Sequence, residues 1–261
     1  MLDIKKFMRD GWMIVDLPQL SGLVSGISHA LQDMAEIEPS SIHEKYADNV
    51  KDLHVKFSEF FWGKEYSLSL SYYILPIVKQ LIGLDVMVQY YPYFRIARPN
   101  KPQDNIGFHK DTQYGQTPYE LAVHIPFVDL DEGSALRVIS GSHLLPESAF
   151  TLVTPEGVKV EKGSIENKIG RPYMPKCLAI PEGMETTPLV MRVGQAAIFS
   201  PAIFHGQEVN TGNVTRVSCD LRFVNGLHKD KVKLGKVHAG YVPVSHSPVE
   251  KMAGGYYAAN M

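Results

Sequence analysis

The chain has 261 residues, 44% of them hydrophobic, and 26 Lys and Arg against 28 Asp and Glu give a formal net charge of −2. This length and apolar content suit one packed core and exclude a disordered polypeptide, while the balanced charge excludes a surface built to neutralise nucleic-acid phosphates. Two cysteines, Cys177 and Cys219, fall short of a disulfide framework, and no apolar run approaches the roughly 18 residues of a membrane span.

The opening residues, Met1 to Gly11, mix charges with single apolar residues and contain no signal core. A soluble protein of a reducing compartment such as the cytoplasm is expected, with neither a membrane nor nucleic acid as partner. A short apolar stretch, Trp12 to Val15, comes next. Leu23, Ile27, Leu31 and Met34 then recur at the spacing of one helix face. Ser41 and Glu44 have the form of a capping box that would open a second helix toward Phe57, Phe60 and Phe61. A third helix is expected through Leu68, Tyr72, Leu75, Val78 and Ile82, bent at Pro76 and ended by Gly83.

From Val86 the texture changes to short β-branched and aromatic segments separated by Gly, Pro, Asn and Asp. These are Val86 to Ile96, Glu120 to Val128, Ala135 to Ile139, Leu189 to Val193, Ala196 to Phe199 and Val214 to Val224. That rhythm is one of an antiparallel sandwich or barrel. Pro146 to Lys176 interrupts it as a long polar connection, of a kind that often covers an active site. The expected organisation is a single domain over residues 1–261. Residues 1–85 are mainly helical, 86–225 form the β core with the insert around 146–176, and 226–261 are a C-terminal extension with little signal.

The sharpest local feature is Gly107-Phe108-His109-Lys110-Asp111. On an extended strand residues i and i+2 share a face, so His109 and Asp111 can aim an imidazole and a carboxylate at one point. His205, in Phe204-His205-Gly206, supplies a third donor. Two histidines and a carboxylate on one face of an octahedron leave three positions open, the arrangement non-haem iron(II) uses to bind an oxo-acid and then O₂. A His-x-Asp pair alone is common, so the argument rests on what accompanies it. Among the other histidines, His29, His43, His54 and His228 read as ordinary surface residues.

Eleven residues beyond His205 stand Arg216 and Ser218, two apart and so on one face of a strand. A guanidinium fork grips a carboxylate bidentately and a hydroxyl completes the cradle, which suits the distal carboxylate of 2-oxoglutarate. A surface salt bridge is the alternative for Arg216 taken alone.

These pieces, in this order, resemble the phytanoyl-CoA dioxygenase-like branch of the iron(II)/2-oxoglutarate oxygenases. The resemblance is carried by His109-Lys110-Asp111, Gly133 to His143, Gly194 to Phe199, His205 and Arg216-Val217-Ser218, with Ser140 where proline is usual. It runs from about Val86 to Val224. It implies a double-stranded β-helix, a cupin-like jelly-roll barrel with helices packed on one side. It implies iron on His109, Asp111 and His205, and the 2-oxoglutarate tail on Arg216. It also implies a dioxygenase reaction in which 2-oxoglutarate and O₂ yield succinate and CO₂ while a small-molecule substrate is oxidised. Related halogenases replace the carboxylate ligand with a small residue, so Asp111 speaks for hydroxylation, desaturation or a similar oxidation. His143, despite its place in a family motif, reads as a residue that secures backbone groups.

For the substrate, Arg95 lies in an aromatic strand before the iron motif and either holds an anion or pairs with an acidic neighbour. Gln113 and Tyr114 follow Asp111 closely enough to reach the cavity. His124 sits where relatives often carry an aromatic residue, and either faces the ligands or is a satisfied core histidine. Polar candidates of this kind suggest a small polar metabolite: a sugar derivative, an amino acid or a phosphonate. Two other readings stand beside this one. They are a zinc-type hydrolase or isomerase on a cupin-like barrel with the same donors, and a non-enzymatic jelly-roll binding module. The sequence does not speak to oligomeric state.

Overall fold

A computed structural model describes residues 2–114, 116–153, 176–231 and 240–260, with the side chains of 114, 229–231 and 260 left out. Helix α1 (Ile4–Asp10) starts where the Asp3 side chain accepts a bond from Lys6 N at 2.9 Å and stops at Gly11 in the left-handed conformation. Strand β1 (Trp12–Asp16) follows, then α2 (Ser21–Ala35), whose Val24, Ile27, Leu31 and Ala35 are fully buried along one face. The expected capping box does not form. Ser41 makes no side-chain cap bond, α3 (Ile42–Lys45) is a single turn, and the aromatic helix is a separate α4 (Lys51–Gly63). Helix α5 (Tyr66–Ile82) contains Pro76 and ends at Gly83, as its pattern predicts.

The strands are β2 (Val86–Gln89), β3 (Tyr93–Ala97), β4 (Glu120–Pro126), β5 (Arg137–Ile139), β6 (Thr151–Val153) and β7 (Lys176–Ala179). After them come β8 (Thr186–Pro188), β9 (Gln195–Phe199), β10 (His205–Gly206), β11 (Arg216–Asn225) and β12 (Tyr241–Ser245), then helix α6 (Pro248–Asn260). The expected strand at Leu189 to Val193 is displaced to β8. Pro188 ends that strand, and Gly194, at φ +92°, turns the chain into β9. Tyr90 to Pro92 divides the expected Val86 to Ile96 strand in two.

The large antiparallel sheet runs β1-β9-β4-β11-β2-β12, with β3 also paired to β11. The ten-residue β11 organises it, pairing on one edge with β4 and on the other first with β3 and then with β2. Its alternation explains the layers. Val217, Cys219, Leu221 and Phe223 are fully buried in a core shared with Phe57, Phe61, Leu70 and Ile74 of the helices. Burial of each such side chain contributes roughly 1.5–3 kcal/mol. Helix side chains also bond the sheet's backbone, as in Ser28 Oγ to Phe127 O at 2.7 Å and Ser67 Oγ to Tyr90 O at 2.8 Å.

The opposite face of β11 looks across the barrel to a small sheet, β10-β5-β8. This is a double-stranded β-helix with helices on one side. Two regions depart from expectation. The insert around 146–176 is bounded by an antiparallel pair, β6 and β7, and Cys177 N donates to Phe108 O at 2.7 Å beside the metal motif; residues 154–175 lie outside the described residues. The C-terminal extension supplies β12 to the large sheet. No described helix is long and apolar enough to cross a membrane.

Candidate metal centre and co-substrate cradle

The His109-x-Asp111 pair does not lie on a regular strand. His109 makes an isolated antiparallel bridge to His205, and Asp111 opens a 3-10 turn, Asp111–Tyr114. In that bridge each histidine N–H donates to the other's carbonyl at 2.9 Å, so the main chain itself sets the imidazoles side by side. Gly206 permits this approach: it adopts φ +150°, and a Cβ there would sit 2.6 Å from Gly107 O. Such a contact excludes any other residue.

His109 Nε2 lies 3.8 Å from Asp111 Oδ1, His205 Nε2 lies 3.7 Å from Asp111 Oδ2, and all three side chains are buried. The three donor atoms fall within 4.8 Å of one another. Nδ1 of His109 contacts Gly107 O at 2.7 Å, and Nδ1 of His205 contacts Ile203 O at 3.1 Å. A carbonyl only accepts, so Nδ1 carries the proton in both rings and each Nε2 turns a lone pair toward the common point. Burial, with the neighbouring His205, pushes His109 down to about 3 and so keeps it neutral. Burial would raise the Asp111 carboxyl, but Arg222 and the two imidazoles outweigh it and hold it below its ordinary value. Two imidazoles and a carboxylate fit a divalent ion of the first transition row.

Along the interior face of β11 stand Arg216, Ser218, Asp220 and Arg222. Arg216 Nη1 donates to Gln207 Oε1 at 2.7 Å, and its Nη2 to Asn105 Oδ1 at 3.3 Å. Arg216 Nε and Ser218 Oγ are buried without a hydrogen-bond partner among the described residues. Burial draws the guanidinium down to about 10, still cationic at neutral pH. A guanidinium Nε and a hydroxyl thus lie unmatched on one face, and leaving such groups dry and unbonded is costly.

Arg95 approaches Asp220 Oδ2 at 3.4 Å, so it does have an acidic neighbour. His124 is buried, with Nδ1 at 2.7 Å from Asp220 Oδ1 and Nε2 unpartnered, so it is only half satisfied. Burial opposes the ionised Asp220, yet His124, Arg95 and Arg222 together drive its carboxyl far below the usual range. Gln113 Oε1 accepts from Lys110 N at 3.1 Å and its Nε2 is buried and unmatched. The Tyr114 side chain lies outside the described residues. His143 holds Met8 O at 3.0 Å, a backbone role as expected. His54, expected on the surface, is buried and bonded to Phe94 O at 2.6 Å, because α4 turns it onto β3.

Sequence reasoning missed Asp220, Arg222, Glu120, Gln207 and Asn105. The first two were within reach, since the alternation that joins Arg216 to Ser218 continues through Asp220 to Arg222. A separate recess of about 370 Å³, lined by Phe7, Leu81, Ile82, Tyr119, Asn225 and His228 among others, touches none of the three donors.

No curated protein matches the chain in sequence. Among solved structures, the chain is similar to the apo non-heme monooxygenase ThoJ, with TM-score 0.55 and 16% identity over 93% of this chain and 83% of that one. It is also similar to SnoK, a non-heme alpha ketoglutarate dependent carbocyclase from nogalamycin biosynthesis, with TM-score 0.52 and 12% identity over 93% and 94% of the two chains. EctD from S. alaskensis with bound Fe follows at TM-score 0.51 and 12% identity, over 86% and 76%. At these identities the likeness concerns the fold. The family model described as phytanoyl-CoA dioxygenase (PhyH) matches residues 29–218, most of the chain, from within α2 to the start of β11, and includes all three donors. With the donor triad in place, the chain belongs to the phytanoyl-CoA dioxygenase family and is a non-haem iron oxygenase that uses 2-oxoglutarate.

Proposed function

We propose that the protein hydroxylates a small polar metabolite, with iron(II) on His109, Asp111 and His205 and the distal carboxylate of 2-oxoglutarate on Arg216 and Ser218. The observation that carries this reading is the pairing of two incomplete sites in one barrel. Three metal donors converge, and along β11 a buried cation and hydroxyl stand unmatched. When bound, the ion couples conversion of 2-oxoglutarate and O₂ into succinate and CO₂ to oxidation of a substrate C–H bond. The chain's own residues bind, orient and exclude water. The two imidazoles are held by backbone carbonyls, which fixes their direction before any ligand arrives. Arg216, braced by Gln207 and Asn105, presents its remaining donor to an anion. Asp220 orients His124, leaving Nε2 for a ligand's hydrogen-bonding group.

Support for a polar substrate comes from Gln113 Nε2 and His124 Nε2, both buried and unmatched among the described residues. A purely apolar substrate would leave these groups unsatisfied. The buried free thiols Cys177 and Cys219 suit a reducing compartment such as the cytoplasm.

The test is to incubate the protein with iron(II), 2-oxoglutarate and a panel of sugar derivatives, amino acids and phosphonates. Succinate release and O₂ consumption that rise with one member, with a product heavier by one oxygen, are expected. Turnover that needs zinc and ignores 2-oxoglutarate would overturn the reading.

A further inference from the structure

Arg222 is the least expected member of the interior row. Its Nη1 lies 2.5 Å from Asp111 Oδ2, and both side chains are buried. The two carboxylate oxygens are therefore not equivalent. Oδ1 faces His109 Nε2 with no cation on it among the described residues, whereas Oδ2, on the His205 side, carries a charge-assisted bond. The distinction matters for counting. Two imidazoles and a carboxylate bound through one oxygen leave three positions of an octahedron, enough for a two-atom oxo-acid and O₂; a chelating carboxylate leaves two.

Arg222 is itself braced. Glu120 lies opposite Val224 in the β4–β11 register, hence diagonal to Arg222 on the interior face and within reach of its side chain. Glu120 Oε2 accepts from Tyr241 Oη at 3.0 Å, and Tyr241 arrives on β12, the strand from the C-terminal extension. The line thus runs Asp111, Arg222, Glu120, Tyr241, with a hydrogen bond at each end and charge attraction between Arg222 and Glu120 in the middle. Its burial keeps both the carboxyl of Glu120 and the phenol of Tyr241 above their ordinary values.

We propose that Arg222 is a positioning residue that engages Asp111 Oδ2 and so restricts the carboxylate to ligation through Oδ1. Glu120 and Tyr241 hold Arg222 in that pose. This rests on the assignment of Asp111 as a metal ligand, and the experiment separates the two. Manganese(II) is loaded in place of iron, and the water-proton relaxivity per bound ion is measured for the wild type, Arg222→Met and Tyr241→Phe, with circular dichroism as the folding control.

Arg222→Met is expected to bind manganese with relaxivity lower by about one third, as three exchangeable waters become two. Its 2-oxoglutarate-dependent succinate release at saturating metal should fall at least about tenfold. Tyr241→Phe should shift relaxivity the same way by a smaller amount. A role confined to stabilising the fold predicts altered melting with wild-type relaxivity, and that result overturns the proposal. If Arg222→Met does not fold, Arg222→Gln, too short to keep the bond, is read by the same criterion. Wild-type relaxivity in Tyr241→Phe removes Glu120 and Tyr241 from the account. A wild-type protein that binds no manganese overturns the ligand assignment itself, a failure distinct from an unchanged water count.

Discussion

The two faces of β11 are both largely buried, with Asp220 the partly exposed exception on the barrel side, and they are chemically opposite. On the helix side Val217, Cys219, Leu221 and Phe223 are at 0% exposure; on the barrel side Arg216, Ser218 and Arg222 are at 5%, 0% and 5%. Exposure therefore does not separate core from site. What separates them is the account of hydrogen-bonding groups. The apolar face leaves nothing unmatched, whereas the polar face leaves Arg216 Nε, Ser218 Oγ and Arg222 Nε without partners among the described residues. Burying such groups unmatched costs stability, and the ligand proposed above would satisfy them.

That contrast can be broken from either side. The largest effect is expected from Asp111→Ala, which removes one of three donors; succinate formation should drop to background, and persistent turnover would take Asp111 out of the site. Next is the helix face. Phe223→Ala should cost about 3–5 kcal/mol of stability in urea denaturation while the 2-oxoglutarate KM of the folded enzyme stays put. A shifted KM with unchanged stability would erase the distinction between the faces. Arg216→Ala removes a charged hydrogen-bond donor worth about 1.5–3 kcal/mol. Steady-state kinetics should show the 2-oxoglutarate KM rising roughly 10- to 100-fold, and a flat KM places the anchor elsewhere. Ser218→Ala should raise the same constant only about fivefold, in line with one neutral hydrogen bond of about 1 kcal/mol. An effect as large as that of Arg216→Ala would reverse their ranking.

Much of this was legible in the chain. His109, Asp111 and His205 come together as their types and order suggested, and Arg216 and Ser218 share a buried face because strands alternate. The helices at α2 and α5 followed from periodicity, but α5 turns a neighbouring stripe inward: Leu70, Ile74 and Val78 are fully buried, while Tyr72, expected on the inner face, is 75% exposed. What stayed hidden depends on register between distant strands. The Asp220–His124 pair exists because β11 and β4 align those residues, and nothing local in either segment specifies that alignment. Tyr241 was invisible for the same reason, since its partner Glu120 lies on a strand far earlier in the chain. The capping box at Ser41 failed because a motif states a local preference that the following residues need not continue.

The rung between His109 and His205 has a consequence for how this centre can change. Because reciprocal backbone bonds fix the spacing of those two positions, the imidazoles ride on a frame they do not build. A cysteine or glutamate substituted at either place would inherit the same backbone anchor point, though not the Nδ1 bond that aims the imidazole, so donor softness can be altered at that point without rebuilding the barrel. Gly206, which donates nothing to any ion, has no such latitude: the strand crossing beside it admits hydrogen and nothing larger. Chemical identity here is negotiable, and the clearance between the strands is not.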